Sequence, residues 1–220
     1  WEIYLTDKEG SSHTSLTHHP HGDSSPRWNP NGDSILFERR IGSYNPQSGA
    51  MWVSHSTLVL MDPDGSNSRE LTSAKGLNMN PRWSPDGTKI AFETTRDGNQ
   101  EIYIMNKDGT EQMNISKNTA DDQSPVWSPD GSQLAFLSET VDTSNVLYIF
   151  YIQTKELRKL APVGEDAYTL SWSPDGKRIA FKKAYLGKCC EIYTIDTTDA
   201  RLQRITQTNT FTWNPSWKPQ

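Results

Sequence analysis

Cysteine is nearly absent from this chain, and its only two, Cys189 and Cys190, are adjacent. Neighbouring cysteines would form a badly strained mutual disulfide and offer no zinc-ligand spacing, so a disulfide framework and a zinc knuckle are both excluded. No apolar run reaches the length of a membrane span, no apolar leader opens the chain, and no terminal lipidation motif is present. Membrane insertion is not expected. Positive charge is sparse and scattered: 22 Lys and Arg against 27 Asp and Glu leave a net charge of -5, so nucleic acid is not an expected partner. The nucleophile elbow GxSxG, the P-loop and a strand-following GxGxxG are all missing, which removes the usual acyl-transfer and phosphate-binding chemistries. Apolar residues make up only 33%. That fraction would permit disorder, but eight Trp, eight Tyr and six Phe at regular spacing oppose it and imply a core of few, large side chains.

What is present is repetition. Trp28, Trp83, Trp127, Trp172 and Trp217 are separated by 55, 44, 45 and 45 residues, the period of a propeller blade. Shortly after each of the first four comes an apolar triplet: Ile35-Leu36-Phe37, Ile90-Ala91-Phe92, Leu134-Ala135-Phe136 and Ile179-Ala180-Phe181. A third apolar run follows, "LVLMD", "EIYIMN", "LYIFY" or "EIYTID", and then a short segment ending in Leu71-Thr72, Ile115-Ser116, Leu160-Ala161 or Ile205-Thr206. Each run has strand length and β-branched or aromatic content. Four strands per unit make a blade.

The connecting "SPDG" segments have hairpin chemistry: proline presets the first turn position, aspartate suits the second, and Gly87, Gly131 and Gly176 take the left-handed conformation. These glycines and the five tryptophans are assigned structural roles. With these residues in view, the pattern PxWSPDGxxIAF…EIYxMDxDG…LT resembles the WD-like repeat of the TolB β-propeller family across nearly the whole chain. The resemblance implies an all-β propeller of four-stranded antiparallel blades. It implies no activity, because the matching residues are those that build blades.

The opening "WEIYLTDKEG" matches the third strand and following turn of a blade, and the closing "NPSWKPQ" matches a first strand. We expect one propeller domain over 1–220, with blades near 26–73, 81–116, 125–161 and 170–206 and a composite closing blade from 214–220 and 1–17. Five blades result, with the second strand of the fifth expected upstream of Trp1; six or more would require further blades upstream. Pairing the chain ends would remove an exposed edge.

Binding residues favour variable loops on a rigid scaffold. The loops joining fourth to first strands, and second to third, should share one face. Three groups fall there. His18, His19, His21 and Asp23, with Asp122 and Asp166 at later copies, could hold a divalent metal, in the manner that a likeness to oligogalacturonate-lyase-type propellers implies. Asp23, Asn78, Asp122 and Asp166 could instead cap the entering strand through local backbone hydrogen bonds. The segment 39–57, which lengthens the first spacing, could be a hairpin extension or a binding loop presenting Tyr44, Trp52 and His55, joined by Tyr168, Phe211 and Trp213.

The leading expectation is a non-catalytic module engaging a protein or peptide, with no cofactor. One alternative is a metal-dependent polysaccharide lyase or hydrolase. Another is the gating propeller of a peptidase resembling the prolyl-oligopeptidase family. A periplasmic or secreted location follows from the resemblance alone.

Overall fold

The computed structural model describes residues 1–20, 22–45, 50–140, 144–164, 167–185, 188–207 and 215–218. Among the described residues every regular element is a β-strand. Packing divides the chain into two compact units: Trp1–Gly98 with Ile104–Met113, and Asn99–Tyr103 with Asn114–Gln220.

The first unit opens with a two-stranded sheet, β1 (Tyr4–Thr6) against β2 (His13–Ser15). A four-stranded antiparallel sheet follows in meander order: β3 (Gly22–Trp28), β4 (Ile35–Asn45), β5 (Ala50–Met61) and β6 (Arg69–Glu70). The next sheet has the same order, β7 (Asn78–Trp83), β8 (Lys89–Thr94), β9 (Glu101–Asn106) and β10 (Met113–Asn114), and the division between units passes through β9. Ile3, Leu16, Ile35, Phe37, Val59 and Met61 form one buried cluster of the first unit.

The second unit contains two more sheets of this kind. One is β11 (Asp121–Trp127), β12 (Gln133–Glu139), β13 (Asn145–Tyr151) and β14 (Leu157–Gly164). The other is β15 (Ala167–Trp172), β16 (Arg178–Tyr185), β17 (Lys188–Asp196) and β18 (Leu202–Arg204). Their core includes Leu137, Leu147, Ile149, Trp172, Ile179, Phe181 and Ile195. The repeated triplets therefore sit on second strands, and each ends in a fully buried phenylalanine, Phe37, Phe92, Phe136 or Phe181. Each such ring contributes about 1.5–3 kcal/mol of burial.

Hydrogen bonds explain the repeated polar letters. In the first-to-second-strand turn, Ser84 Oγ donates to Asp86 at 2.6 Å and accepts the Lys89 N–H at 2.9 Å, while the Gly87 N–H closes on Ser84 O at 2.9 Å. Ser128 with Asp130, and Ser173 with Asp175, repeat the arrangement. Gly87 has φ +69°, and a Cβ there would stand 2.5 Å from Asn29 Oδ1.

The "LT" letters lie just beyond the fourth strand rather than within it, except in β14. Leu71 N–H donates to Leu58 O at 2.8 Å, and the Thr72 hydroxyl, in place of a backbone carbonyl, accepts the Leu58 N–H at 2.9 Å. Thr17, Ser116 and Thr206 do the same for Ile3, Ile102 and Ile192, and each donates to a neighbouring glutamate: Glu2, Glu101 and Glu191. Where β13 has Val146 instead of glutamate, β14 has Ala161 instead of serine or threonine, and its backbone stays in the ladder.

Each first strand of the four-stranded sheets starts three or four residues ahead of the boundary expected for it. The cause is a β-bulge, with register shifts at Ser24/Arg27, Met79/Arg82, Gln123/Val126 and Tyr168/Ser171. Ser25, Asn80, Ser124 and Thr169 take φ between 51° and 61° there, a left-handed conformation uncommon outside glycine.

The tryptophans also follow a rule, with one departure from expectation. Trp83 Nε1 donates to Arg27 O at 3.3 Å, Trp172 to Val126 O at 3.1 Å and Trp217 to Ser171 O at 3.0 Å. Each indole thus reaches the carbonyl preceding the tryptophan of the sheet before it. Trp127 and Trp172 are buried, whereas Trp28 is 48% exposed. The sheet before Trp28 is, among the described residues, the two-stranded β1–β2 pair. The expected composite blade lies partly outside the described residues: β1 and β2 pair with each other, and 215–218 carry no strand.

Candidate binding face

The described residues of the segment 39–57 extend the β4 and β5 strands. β4 and β5 stay paired from Ile35↔Met61 out to Asn45↔Ala50, past the length of the other second and third strands, with one irregularity at Ile41/Gly42. Tyr44 pairs with Met51 and Trp52 with Ser43 in this register. His55, partly buried and opposite Ile41, has its Nδ1 3.0 Å from Ser54 Oγ. Among the described residues this ladder is longer than its counterparts in the other sheets, and the segment includes Tyr44, Trp52 and His55.

His18 is exposed and His19 partly exposed, while His21, Asp166, Phe211 and Trp213 lie outside the described residues. Tyr168 is 42% exposed on the edge strand β15. Asp23 is buried and gives both carboxylate oxygens to the Arg39 guanidinium at 2.9 Å each, which holds the Arg39 pKa above its ordinary value. A divalent ion at Asp23 would have to displace that guanidinium. Among the described residues, no group of three or more His, Cys, Asp or Glu gathers to hold a metal ion.

The Asp/Asn positions serve the strand instead. Asn78 accepts at Oδ1 from Thr94 Oγ1 at 3.0 Å and Arg96 Nη2 at 2.7 Å, and its Nδ2 donates to Ser56 O at 2.6 Å. Backbone N–H groups of Asp23, Asn78 and Asp122 reach Trp1 O, Ser56 Oγ and Gln100 O respectively. The registers Asp23↔Arg39, Asn78↔Thr94, Asp122↔Ser138 and Ala167↔Lys183 put Ala167 at the fourth place. Asp166 is one residue early, because the count back from Trp172 has to match the others at five.

Asp122 stands apart. It is fully buried, and burial pushes its pKa up to about 6, with Glu101 adding to the rise and the Ser138, Ser116 and Asn118 side chains opposing it. Asn118 Nδ2 donates to Oδ2 at 2.8 Å, and Oδ1 ends without a hydrogen bond of its own. A second polar group, invisible to pattern reading, forms beside the β7 bulge. Asn80 N–H donates to Glu38 at 2.7 Å and Asn80 Nδ2 to Glu93 at 2.7 Å, with Glu38 and Glu93 both buried. Burial lowers the Arg82 pKa there, and both glutamates counter it.

The family described as TolB beta propeller domain matches residues 50–146. A TolB homolog of Chlorobium luteolum is 30% identical over 135 residues, covering 47% of this chain and 31% of that protein. The chain has the β-propeller fold and is TolB-like over residues 50–146. Its likeness extends to an uncharacterized peptidase of Bacillus subtilis, YuxL, at 29% identity over 41% of this chain and 18% of that protein. The matched part of the propeller thus spans about a third or less of these relatives' length. Among solved structures, a TolB assigned to Agrobacterium tumefaciens superposes with a TM-score of 0.69 at 20% identity, over 97% of this chain and 72% of that one. An oligogalacturonate lyase in complex with manganese gives 0.60 at 15% identity, over 94% and 71%. Identities this low speak for the propeller fold alone.

Proposed function

We propose that this TolB-like propeller is a non-catalytic module that binds a protein or peptide through the extended β4–β5 hairpin. The observation that carries the reading is a contrast. The repeated polar residues are engaged in turns, strand caps and bulges, whereas the hairpin is unrepeated, long, and furnished with Tyr44, Trp52 and His55. Aromatic residues on a rigid element are the usual anchors of a binding surface. A role beside protein partners accords with the Tol-Pal system proteins among its relatives, as does a periplasmic or secreted location.

The test is a peptide-display selection on the intact chain, repeated on a variant whose hairpin is cut back to the length of β8–β9. Selected ligands should lose at least about tenfold in affinity on the shortened variant, with its circular dichroism and melting unchanged. Ligands that bind both forms equally would sink the proposal. The likeness to YuxL, named as a peptidase, supports a second reading as the propeller of a longer hydrolase. A hydrolase domain encoded in frame with this segment would favour it.

A further inference from the structure

We propose that Asn31 is a site of spontaneous deamidation, converted in the folded chain to aspartate or isoaspartate through attack by the Gly32 backbone nitrogen. Asn31-Gly32 is the one Asn-Gly pair of the chain, and it lies in the turn between β3 and β4. Both residues are exposed. Glycine leaves the attacking nitrogen without a side chain beside it, and a Cβ built on Gly32 would meet nothing within 4 Å, so a ring has room to close there.

The other copies of the turn are internal controls. There the place of Asn31 belongs to Asp86, Asp130 and Asp175, each also followed by glycine. Asp86 is locked: its Oδ1 accepts from Ser84 Oγ at 2.6 Å, the Thr88 N–H at 3.0 Å and Thr88 Oγ1 at 2.9 Å. Asp130 is held in the same way by Ser128 and Ser132, and Asp175 by Ser173 and the Lys177 N–H. Asn31 has no such lock among the described residues. Asn29 stands in place of the serine, and its side chain is engaged with the backbone: Oδ1 accepts the Asn31 N–H at 2.8 Å and Nδ2 donates to Gly87 O at 3.1 Å. The Asn31 carboxamide itself donates once, to Asp86 O at 3.4 Å, a length at which a hydrogen bond is weak, and among the described residues its Oδ1 accepts nothing.

Water is the only co-reactant. The Gly32 nitrogen gives its proton to hydroxide and bonds to Asn31 Cγ; the Cγ–Nδ2 bond breaks, and ammonia leaves with a proton taken from water, so that a succinimide closes. Water then adds to Cγ or to the main-chain carbonyl carbon of Asn31 and opens the ring, giving aspartate or isoaspartate. Aspartate is the residue the other copies already carry, whereas isoaspartate lengthens the main chain of the turn by a methylene. The Gly32 N–H donates to Asn29 O at 2.8 Å and has to be released first, but the same bond closes the other turns, where the Gly87 and Gly131 N–H groups meet Ser84 O and Ser128 O at 2.9 Å. It slows all copies alike. Freedom of the side chain is what sets Asn31 apart.

The experiment is incubation of the intact chain in heavy-oxygen water at mildly alkaline pH, followed by peptide mapping in a mass spectrometer, with free peptides covering residues 27–36 and 82–91 run beside it. Asn31 should lose its amide and gain heavy oxygen, as two products that chromatography separates. Asp86 undergoes the same ring closure with loss of water, so each site is scored as its rate in the folded chain divided by its rate in the free peptide. That ratio should be at least about tenfold larger at Asn31 than at Asp86, because the aspartate must first leave its charge-assisted hydrogen bonds. Asn67, which is exposed, donates to Asp62 at 2.7 Å and is followed by serine, should keep its amide. An Asn31 amide still intact when its free peptide has been converted overturns the proposal, as does an equal ratio at Asp86 or equal conversion at Asn67.

Discussion

At the scale of single residues, buried hydroxyls and carboxylates decide more than their number implies. Ser116 satisfies two buried groups at once, the Ile102 N–H and the Glu101 carboxylate. Ser116→Ala strands both, and should lower unfolding free energy by about 1–3 kcal/mol in urea denaturation. Replacing the pair together, Glu101→Val with Ser116→Ala, imitates Val146 and Ala161 of the next sheet and should be less harmful than the single change. A double variant as unstable as the sum of its parts would show that the hydroxyl does not act through this pair. Asp122 is the opposite case, a carboxylate in a place that disfavours its charge. Asp122→Asn puts at this position the residue that already stands at Asn78. The variant should raise the melting temperature at pH 7 by roughly 2–4 °C, and a lowered one would refute the account.

At the scale of elements, the turns discriminate between conformational strain and close packing. Gly32 has φ +72° with no atom within 4 Å of a built Cβ, whereas Gly87 has φ +69° with Asn29 Oδ1 at 2.5 Å. Gly32→Ala should cost about 1–2 kcal/mol through backbone strain alone. Gly87→Ala should cost about 1–3 kcal/mol more through overpacking, and adding Asn29→Ala should recover part of that. Equal losses for both glycines would mean that the Asn29 contact carries no weight. Much of this level was legible in the sequence. Strand triplets, SPDG turns and the extra length at 39–57 follow from period, apolar runs and turn residues. The bulges were not, because Ser25, Asn80, Ser124 and Thr169 share no glycine and no apolar pattern that marks a positive φ. Asp166 was misplaced for the same reason: without the bulge register, nothing in the letters distinguishes the residue five places before Trp172 from the one six places before it. The Arg39 partner of Asp23 was not legible either, since a bidentate partner sixteen residues away leaves no local signature.

At the scale of the whole molecule, repetition turns a local turn device into a pH response. Asp86, Asp130 and Asp175 are held below the ordinary carboxylate pKa chiefly by the hydroxyls of Ser84, Ser128 and Ser173. Asp108 and Asp196 are lowered chiefly by Thr110 and Thr198 in the third-to-fourth-strand turns. A depressed pKa in the folded state contributes stability that is fully present above the unfolded value of about 4 and is lost as pH falls through the folded one. The five carboxylates share that window, so stability should decline steeply below about pH 4. Asp122 has the opposite sign. Its folded pKa of about 6 exceeds the ordinary aspartate value of about 4, so the folded protein holds a proton that the unfolded chain releases, and stability rises as pH falls from 6 towards 4. Melting temperature followed from pH 7 to pH 2.5 should therefore pass through a maximum between about pH 4 and 5. In Asp122→Asn the rise from pH 6 to 4 should vanish while the acid-side fall remains. A wild-type curve without the maximum would deny the buried carboxylate its raised pKa, and a fall displaced to higher pH would deny the turns theirs.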